Sequence, residues 1–169
     1  LFLWNINPLE SLNDYLDEDS SYYTMISITR KNTAEVSLIY NIKDDIYISA
    51  MKGEGAMIEK EKLRVPNSTS NITRFICDND LISSNIIKMN HYKRYSSGSI
   101  VRDTLKLING EIDFILIDDF DFIRYQALYL ICREASLIVE LRRTNNDNKW
   151  IFIASKAKIF NNILQLIKY

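Results

Sequence analysis

Few residues in this chain have the types and spacing that catalysis requires. The single histidine, His91, excludes a His-rich zinc site and leaves little room for a histidine-based triad. Cys77 and Cys132 lie far apart without metal-ligand spacing, which is typical of reduced cytosolic thiols. Lys52-Gly53-Glu54-Gly55 lacks the Lys-Ser/Thr of a phosphate-binding loop and is predicted to be a turn. The acidic segment Asp118–Asp121 offers carboxylates to a divalent cation, although such loops are usually solvated.

The composition is that of a globular protein and excludes two classes of partner. Of the 169 residues, 47% are hydrophobic and 25% are charged, which is enough for one folded domain. The 21 basic and 22 acidic side chains nearly cancel, so we expect no nucleic-acid partner. No apolar run reaches the ~18 residues of a membrane span, so we expect no membrane partner and a cytoplasmic location. The chain begins at Leu1 rather than Met, and we expect it to be the C-terminal piece of a longer protein.

The first half of the chain predicts a meander of antiparallel strands. Runs rich in β-branched and aromatic residues are separated by short polar turns. The strands are predicted at Leu1–Ile6, Tyr22–Thr29, Glu35–Tyr40 and Ile46–Ala50, with a short pair over Met57–Val65. The first strand is predicted to stop at Asn7-Pro8, and Glu10–Ser21 is predicted to be a surface loop.

In the second half, strand patterns alternate with helical ones. Helices are predicted at Asp80–Asn90, Ile100–Asn109, Phe122–Ala135 and Lys156–Ile167, and strands at Arg74–Cys77, Ile112–Ile117, Leu137–Leu141 and Trp150–Ala154. A meander followed by such alternation predicts an α+β or layered α/β fold. No repeat and no linker divides the sequence, so residues 1–169 are expected to form a single domain.

Short motifs punctuate the chain in a fixed order. They are Trp4-Asn5-Ile6-Asn7-Pro8-Leu9-Glu10-Ser11, Lys52-Gly53-Glu54-Gly55-Ala56, Ser97-Gly98-Ser99, Asn109-Gly110-Glu111-Ile112-Asp113 and Arg133-Glu134-Ala135. Their order and spacing resemble the inositol monophosphatase family. The resemblance implies an α+β, layered αβαβα sugar-phosphatase fold that lacks its N-terminal segment here. It also implies a homodimer that hydrolyses small phosphomonoesters with Mg²⁺.

The resemblance assigns metal-ligand positions, and most of them are substituted. The family's metal loop reads Asp-Pro-Ile/Leu-Asp-Gly-Thr. This chain has Asn7 for the first Asp, Leu9 for the residue that binds through its carbonyl, and Glu10 for the second Asp. Counting back from Arg133-Glu134-Ala135 places Arg124 where the family has a further metal-binding Asp. The family's Glu-Glu motif, which supplies another metal ligand, is absent from these residues.

The positions that the resemblance assigns to substrate and phosphate are altered as well. Ser11 and Leu12 replace the Gly-Thr pair, and Ile117 stands at a sugar-contacting Glu. Gly98 and Ser99 keep their family type in a turn near the substrate, although Ser99 also suits a plain helix N-cap. A small phosphorylated metabolite is the ligand that the resemblance implies.

Charge decides how these substitutions affect a metal. Asn for Asp changes the site by one unit and Arg for Asp by two, so the site is three units less negative. A unit pair at ~4 Å is worth ~4 kcal/mol at an effective dielectric constant of ~20, and about twice that with a divalent ion. We therefore expect Mg²⁺ affinity to fall by orders of magnitude. Arg124 is either an anion clamp in the old cleft or a helix-surface arginine with a local acidic partner.

Three functional hypotheses follow. The first is a catalytically impaired member of the family, a pseudoenzyme. The second is an active Mg²⁺-dependent phosphomonoesterase whose ligands have moved to Glu10 and Asp118–Asp121. The third is a non-enzymatic binding or assembly module that uses the family's dimer surface. Because upstream helices cover part of the first sheet in the family, Tyr22, Thr24 and Ile26 or their alternate neighbours are expected to be exposed.

Overall fold

The computed structural model describes residues 1–10, 15–16, 21–66, 71–80, 86, 88, 91–95, 99–143 and 150–166. These residues form two compact units, one of Leu1–Arg64 with Asp121–Ser136 and one of Val65–Phe120 with Leu137–Tyr169. Most of the helix predicted at Asp80–Asn90 lies outside the described residues. Within the described ranges, no helix is both long and apolar enough to cross a lipid bilayer.

The elements follow the predicted order of a meander and then an alternation. The strands are β1 (Phe2–Glu10), β2 (Tyr23–Arg30), β3 (Thr33–Asn41), β4 (Ile46–Met51), β5 (Gly55–Ile58), β6 (Glu61–Lys62), β7 (Thr73–Cys77), β8 (Tyr92–Arg94), β9 (Phe114–Phe120), β10 (Ile138–Arg143) and β11 (Trp150–Ser155). The helices are α1 (Ile100–Ile108), α2 (Gln126–Glu134) and α3 (Ala157–Leu166).

The first unit is a six-stranded antiparallel sheet with α2 packed against it. The strands lie side by side in the order β1-β2-β3-β4-β5-β6. In β2 the side chains of Tyr23, Met25, Ser27 and Thr29 are buried, and the residues between them are half-buried. This period of two is what a sheet covered by a helix on one face requires. On α2, Leu128, Ile131 and Cys132 are fully buried.

The second unit is built on a five-stranded mixed sheet in the order β10-β11-β9-β7-β8. Strand β7 runs parallel to both β8 and β9, whereas β11 is antiparallel to β9 and β10. The central strands carry near-continuous apolar runs because both of their faces are covered. Their core side chains include Phe75, Phe114, Leu116, Ile151 and Ile153.

One strand boundary differs from its prediction and changes the environment of a site residue. Strand β1 does not stop at Asn7-Pro8 but continues to Glu10, with a shift of register between Asn7 and Glu10. Because β1 is an edge strand, proline there removes no hydrogen bond from the sheet. Glu10, predicted to begin a surface loop, is therefore a buried strand residue.

Two further boundaries also differ. The helix predicted from Phe122 begins only at Gln126, because Asp121 forms a turn in which its Oδ1 accepts a hydrogen bond from the Arg124 backbone N–H at 3.0 Å. The strand predicted at Ile112–Ile117 is shifted to Phe114–Phe120. Asp113, the residue directly before the first residue of β9, is buried and binds two cationic side chains.

Candidate functional site

Glu10 is the buried carboxylate around which the candidate site is built. It ends β1 opposite Tyr23, and only 6% of the residue is exposed. The register shift after Asn7 brings its side chain to the face of the sheet that α2 covers. A buried carboxylate must be paired or hydrogen-bonded to remain charged, so its partners determine what the site can bind.

Three side chains occupy the two oxygens of Glu10. Arg124 Nη2 donates to Oε2 at 2.7 Å, and Asn7 Nδ2 donates to the same oxygen at 2.8 Å. The Tyr125 hydroxyl donates to Oε1 at 3.0 Å. We call these four residues the Glu10 cluster. All of its members belong to the first unit.

The turn before α2 positions the two partners that come from the second half of the chain. Asp121 Oδ1 accepts from the Arg124 backbone N–H, and the Asp121 carbonyl accepts from the Tyr125 backbone N–H at 3.0 Å. The Arg124 guanidinium also lies 5.4 Å from the centre of the Tyr125 ring, within range of a cation–π contact. Arg124 and Tyr125 are thus presented to Glu10 as a preorganised pair.

The electrostatics of the cluster keep its guanidinium charged and its phenol protonated. Burial alone would lower the pKa of Arg124, but the neighbouring Tyr125 and Glu10 outweigh it and raise that pKa. Burial, followed by the charge of Glu10, raises the pKa of Tyr125 well above its ordinary value of 10.0. Tyr125 therefore stays a neutral hydrogen-bond donor, and Arg124 stays a cation.

These residues do not fit a divalent metal. Among the positions that the resemblance assigns to metal ligands, Glu10 alone offers a carboxylate, and a guanidinium nitrogen lies 2.7 Å from its Oε2. Mg²⁺ needs oxygen ligands at ~2.0–2.1 Å in near-octahedral geometry, so the guanidinium would have to leave first. In the part of the chain that the structure describes, no group of three or more His, Cys, Asp or Glu is placed to hold a metal ion.

The acidic segment Asp118–Asp121, at the end of β9, does not supply the alternative ligands in the described residues. Asp118 Oδ2 accepts from Asn79 Nδ2 at 2.8 Å, and the Asp118 backbone N–H donates to Asp78 Oδ1 at 2.7 Å. Asp121 caps the turn before α2, and the side chain of Asp119 lies outside the description. These contacts are structural, because each oxygen named here accepts from a neighbouring protein group.

The remaining predicted site residues fall into three groups. Leu9 lies in β1 directly before Glu10. Ser99 and Ile117 belong to the second unit, where Ser99 Oγ caps α1 by accepting from the Arg102 backbone N–H at 3.2 Å and Ile117 is buried in β9. Ser11, Leu12 and Gly98 lie outside the described residues.

Sequence reasoning missed Tyr125 and assigned no role to Glu134. Tyr125 follows Arg124 directly, but nothing in its type signals a buried hydroxyl bound to a carboxylate 115 residues away. Glu134 Oε1 and Oε2 accept from the backbone N–H groups of Gly53 and Gly55 at 3.0 and 2.9 Å. Both glycines have positive φ, so this contact explains why a two-glycine turn and the Arg-Glu-Ala motif occur together.

Comparison with known proteins shows what this chain is similar to. No protein-family model matches the chain. Nus factor SuhB of Buchnera aphidicola (subsp. Schizaphis graminum, strain Sg) is 26% identical over 164 residues, which cover 87% of this chain and 59% of that protein. SuhB from Bartonella henselae superposes with a TM-score of 0.80 at 21% identity, covering 99% of this chain and 73% of that one.

The chain has the fold of SuhB and inositol monophosphatase. Inositol monophosphatase from Anabaena sp. PCC 7120 matches with a TM-score of 0.80 at 18% identity, covering 98% of this chain and 71% of that one. An inositol monophosphatase/NADP phosphatase solved with Mg²⁺ and phosphate matches at 0.78 and 15% identity, covering 99% of this chain and 67% of that one. The predicted α+β, inositol monophosphatase-like fold is confirmed. The chain spans about three fifths of its curated relative.

Proposed function

We propose that this chain is a catalytically impaired member of the SuhB/inositol monophosphatase family, in which an internal ion pair takes the place of the divalent metal. The observation that carries the proposal is the 2.7 Å contact between Arg124 Nη2 and Glu10 Oε2. It joins the one carboxylate kept in the family's metal loop to a cation at the position of a family metal ligand. The fold is retained, and the chemistry that needs a metal is not.

The Arg124 guanidinium occupies the position next to Glu10 that Mg²⁺ would need, and we also expect the ion pair to be more stable than Mg²⁺ binding there. Glu10 is nearly buried, so its charge is poorly screened, and the guanidinium is covalently part of the protein and needs no binding step. A metal that replaced it would gain one carboxylate and leave the Arg124 charge beside it. Losing three negative units at the site, by the substitutions at positions 7 and 124, acts in the same direction.

A binding role is the function that remains for such a protein. The curated relative is named a Nus factor. The Arg124 side chain is 48% exposed, so the guanidinium can contact an anionic group while it holds Glu10. A small phosphorylated metabolite and a cytoplasmic location stay predictions that this proposal accommodates.

Turnover of phosphomonoesters tests the proposal. We expect the full-length protein to release no more phosphate from inositol monophosphate with Mg²⁺ than without it. Metal-dependent release, abolished by Glu10→Ala, would contradict the proposal and support the hypothesis of relocated ligands. Arg133→Ala is the control variant. The Arg133 guanidinium lies 5.9 Å from the centre of the Tyr129 ring, so it also contacts a tyrosine, but Arg133 is not a member of the Glu10 cluster.

A further inference from the structure

The pair Asn109-Gly110 has a reactivity of its own, which the proposed function does not use. Gly110 is the one glycine of the four that follows an asparagine, and Asn109 is exposed to water. In deamidation, the backbone nitrogen after an asparagine attacks the side-chain amide carbon, ammonia leaves, and a five-membered succinimide forms. Water then opens the ring to aspartate or isoaspartate. Glycine favours the attack because it has no side chain beside the attacking nitrogen.

The end of α1 holds this pair in a geometry in which the ring cannot close. Asn109 is the C-cap of the helix, with φ −74° and ψ −5°. A five-membered ring is nearly planar, so the Asn109 Cβ has to lie syn to the Gly110 nitrogen across the Cα–C bond. At a ψ of −5° the backbone nitrogen of Asn109 occupies that syn position. The side-chain amide carbon therefore cannot reach the attacking nitrogen until ψ rotates.

Two backbone hydrogen bonds oppose that rotation. The Gly110 N–H donates to the Leu107 carbonyl at 3.1 Å, and the Glu111 N–H donates to the Lys106 carbonyl at 2.9 Å. Together with the positive φ of 79° at Gly110, they form the Schellman motif that ends many helices. The proton that the attacking nitrogen must lose is thus engaged in a hydrogen bond, and rotation about ψ breaks both bonds.

A side chain from β7 holds the same turn from outside the helix. Arg74 Nη2 donates to the Gly110 carbonyl at 2.7 Å, and Arg74 Nε donates to Asp113 Oδ2 at 3.2 Å. Asp113 is buried, so Arg74 is anchored at a fixed carboxylate while it holds the carbonyl. Pro66 closes the remaining space, because a Cβ built on Gly110 would lie 3.2 Å from the Pro66 ring.

We propose that Asn109 is a latent deamidation site, which the Schellman motif and Arg74 keep intact in the folded chain and which reacts when the end of α1 opens. Helix ends open locally without global unfolding. The product places a new negative charge at the C-terminus of α1, where the helix dipole disfavours it. Isoaspartate also lengthens the main chain by one carbon, which prevents the Schellman bonds from forming again. Deamidation would therefore fix the helix end in its open state.

The residues involved all belong to the second unit, so this inference stands or falls separately from the Glu10 cluster and the proposed function. The test follows modification of Asn109 over time by peptide mapping with mass spectrometry, at neutral pH, in the native full-length protein and in the same protein unfolded in guanidinium chloride. We expect deamidation to be at least tenfold slower in the native protein. Equal rates in the two states, or no reaction in the unfolded chain, would overturn the proposal.

Arg74→Lys tests the contact from β7. Lysine keeps a cation for Asp113 but lacks the planar fork that also reaches the Gly110 carbonyl, so we expect deamidation of the native protein at least threefold faster than in the wild type. Lys156→Met is the matched control, because Lys156 binds Asp113 at 2.8 Å and makes no contact with Gly110 among the described hydrogen bonds. We expect it to deamidate like the wild type.

An unchanged rate in Arg74→Lys, or equal acceleration in Lys156→Met, would overturn the role of Arg74; the second result would show that the reaction follows the stability of the whole unit. Circular dichroism verifies that both variants fold. If Arg74→Lys does not fold, hydrogen exchange at the Gly110 amide of the wild type decides: slow exchange supports a held turn, and unprotected exchange overturns it.

Discussion

Two buried carboxylates that cations hold, Glu10 in the first unit and Asp113 in the second, differ in how completely they are enclosed. Asp113, in the second unit, is 3% exposed and binds Lys156 at 2.8 Å and Arg74 at 3.2 Å. Glu10, in the first, binds one cation, Arg124, whose side chain is 48% exposed. Asn7 and Tyr125 complete the Glu10 cluster with neutral donors.

The difference separates an enclosed ion pair from one whose cation is open to water. Burial alone would raise the pKa of Asp113, but hydrogen bonds from Arg74 and Lys156 outweigh it and lower the pKa below its ordinary 3.8. Two cations and the Arg74 backbone N–H leave no approach for a ligand to Asp113. At Glu10 the half-exposed Arg124 is the one charged partner and faces water on one side.

Removing the Asp113 carboxylate should have the largest effect. We expect Asp113→Ala to destabilise the protein by about 3–5 kcal/mol, because it leaves two cations without their buried partner. Urea unfolding measures the change. Asp80→Ala is the control, since the Asp80 side chain is 85% exposed in its pair with Arg94 and should change stability by less than about 1 kcal/mol. Equal losses of stability in the two variants would contradict the stabilising role of Asp113.

Removing the Glu10 carboxylate should cost less. We expect Glu10→Ala to destabilise by about 1–3 kcal/mol, because Arg124 can turn to water while the hydroxyl of the half-buried Tyr125 loses its acceptor. The measurement is again urea unfolding, under the same conditions. A loss as large as that of Asp113→Ala would contradict the contrast between the two clusters.

Tyr125→Phe sharpens that result and should give the smallest effect. It removes one hydrogen bond from the Glu10 cluster and keeps the ring under Arg124, so we expect a loss of about 0.5–1.5 kcal/mol. Tyr129→Phe is the matched control on the same helix, because its hydroxyl contacts Arg133 at an exposed position. If the control costs more stability than Tyr125→Phe, the Tyr125 hydroxyl does not support Glu10.

The sequence predicts the fold better than the site because the two depend on different ranges of interaction. Alternating residues such as Tyr23 and Met25 reveal the meander locally, and the glycine turns fix where strands end. The burial of Glu10 depends instead on β1 being an edge strand that passes through Pro8, which no local pattern indicates. The hydroxyl of Tyr125 finds its acceptor only through tertiary packing.

The counting argument that placed Arg124 at a metal position used motif spacing alone, and the structure brings that side chain onto Glu10. Arg124 precedes α2, which begins at Gln126, so the count back from Arg133-Glu134-Ala135 to Arg124 crosses the non-helical turn at Asp121. Motif spacing alone cannot predict the turn at Asp121, after which α2 begins. A single side-chain hydrogen bond from the Arg124 backbone N–H to Asp121 competes there with helical propensity.

Titration of Mg²⁺ into the full-length protein by calorimetry tests the central claim most directly, with Arg124→Asp beside the wild type and Arg133→Asp as the matched charge change on an exposed part of α2. The account predicts no measurable binding to the wild type or to Arg133→Asp, and measurable, saturable binding to Arg124→Asp. Saturable Mg²⁺ binding to the wild type that Arg124→Asp leaves unchanged would contradict it.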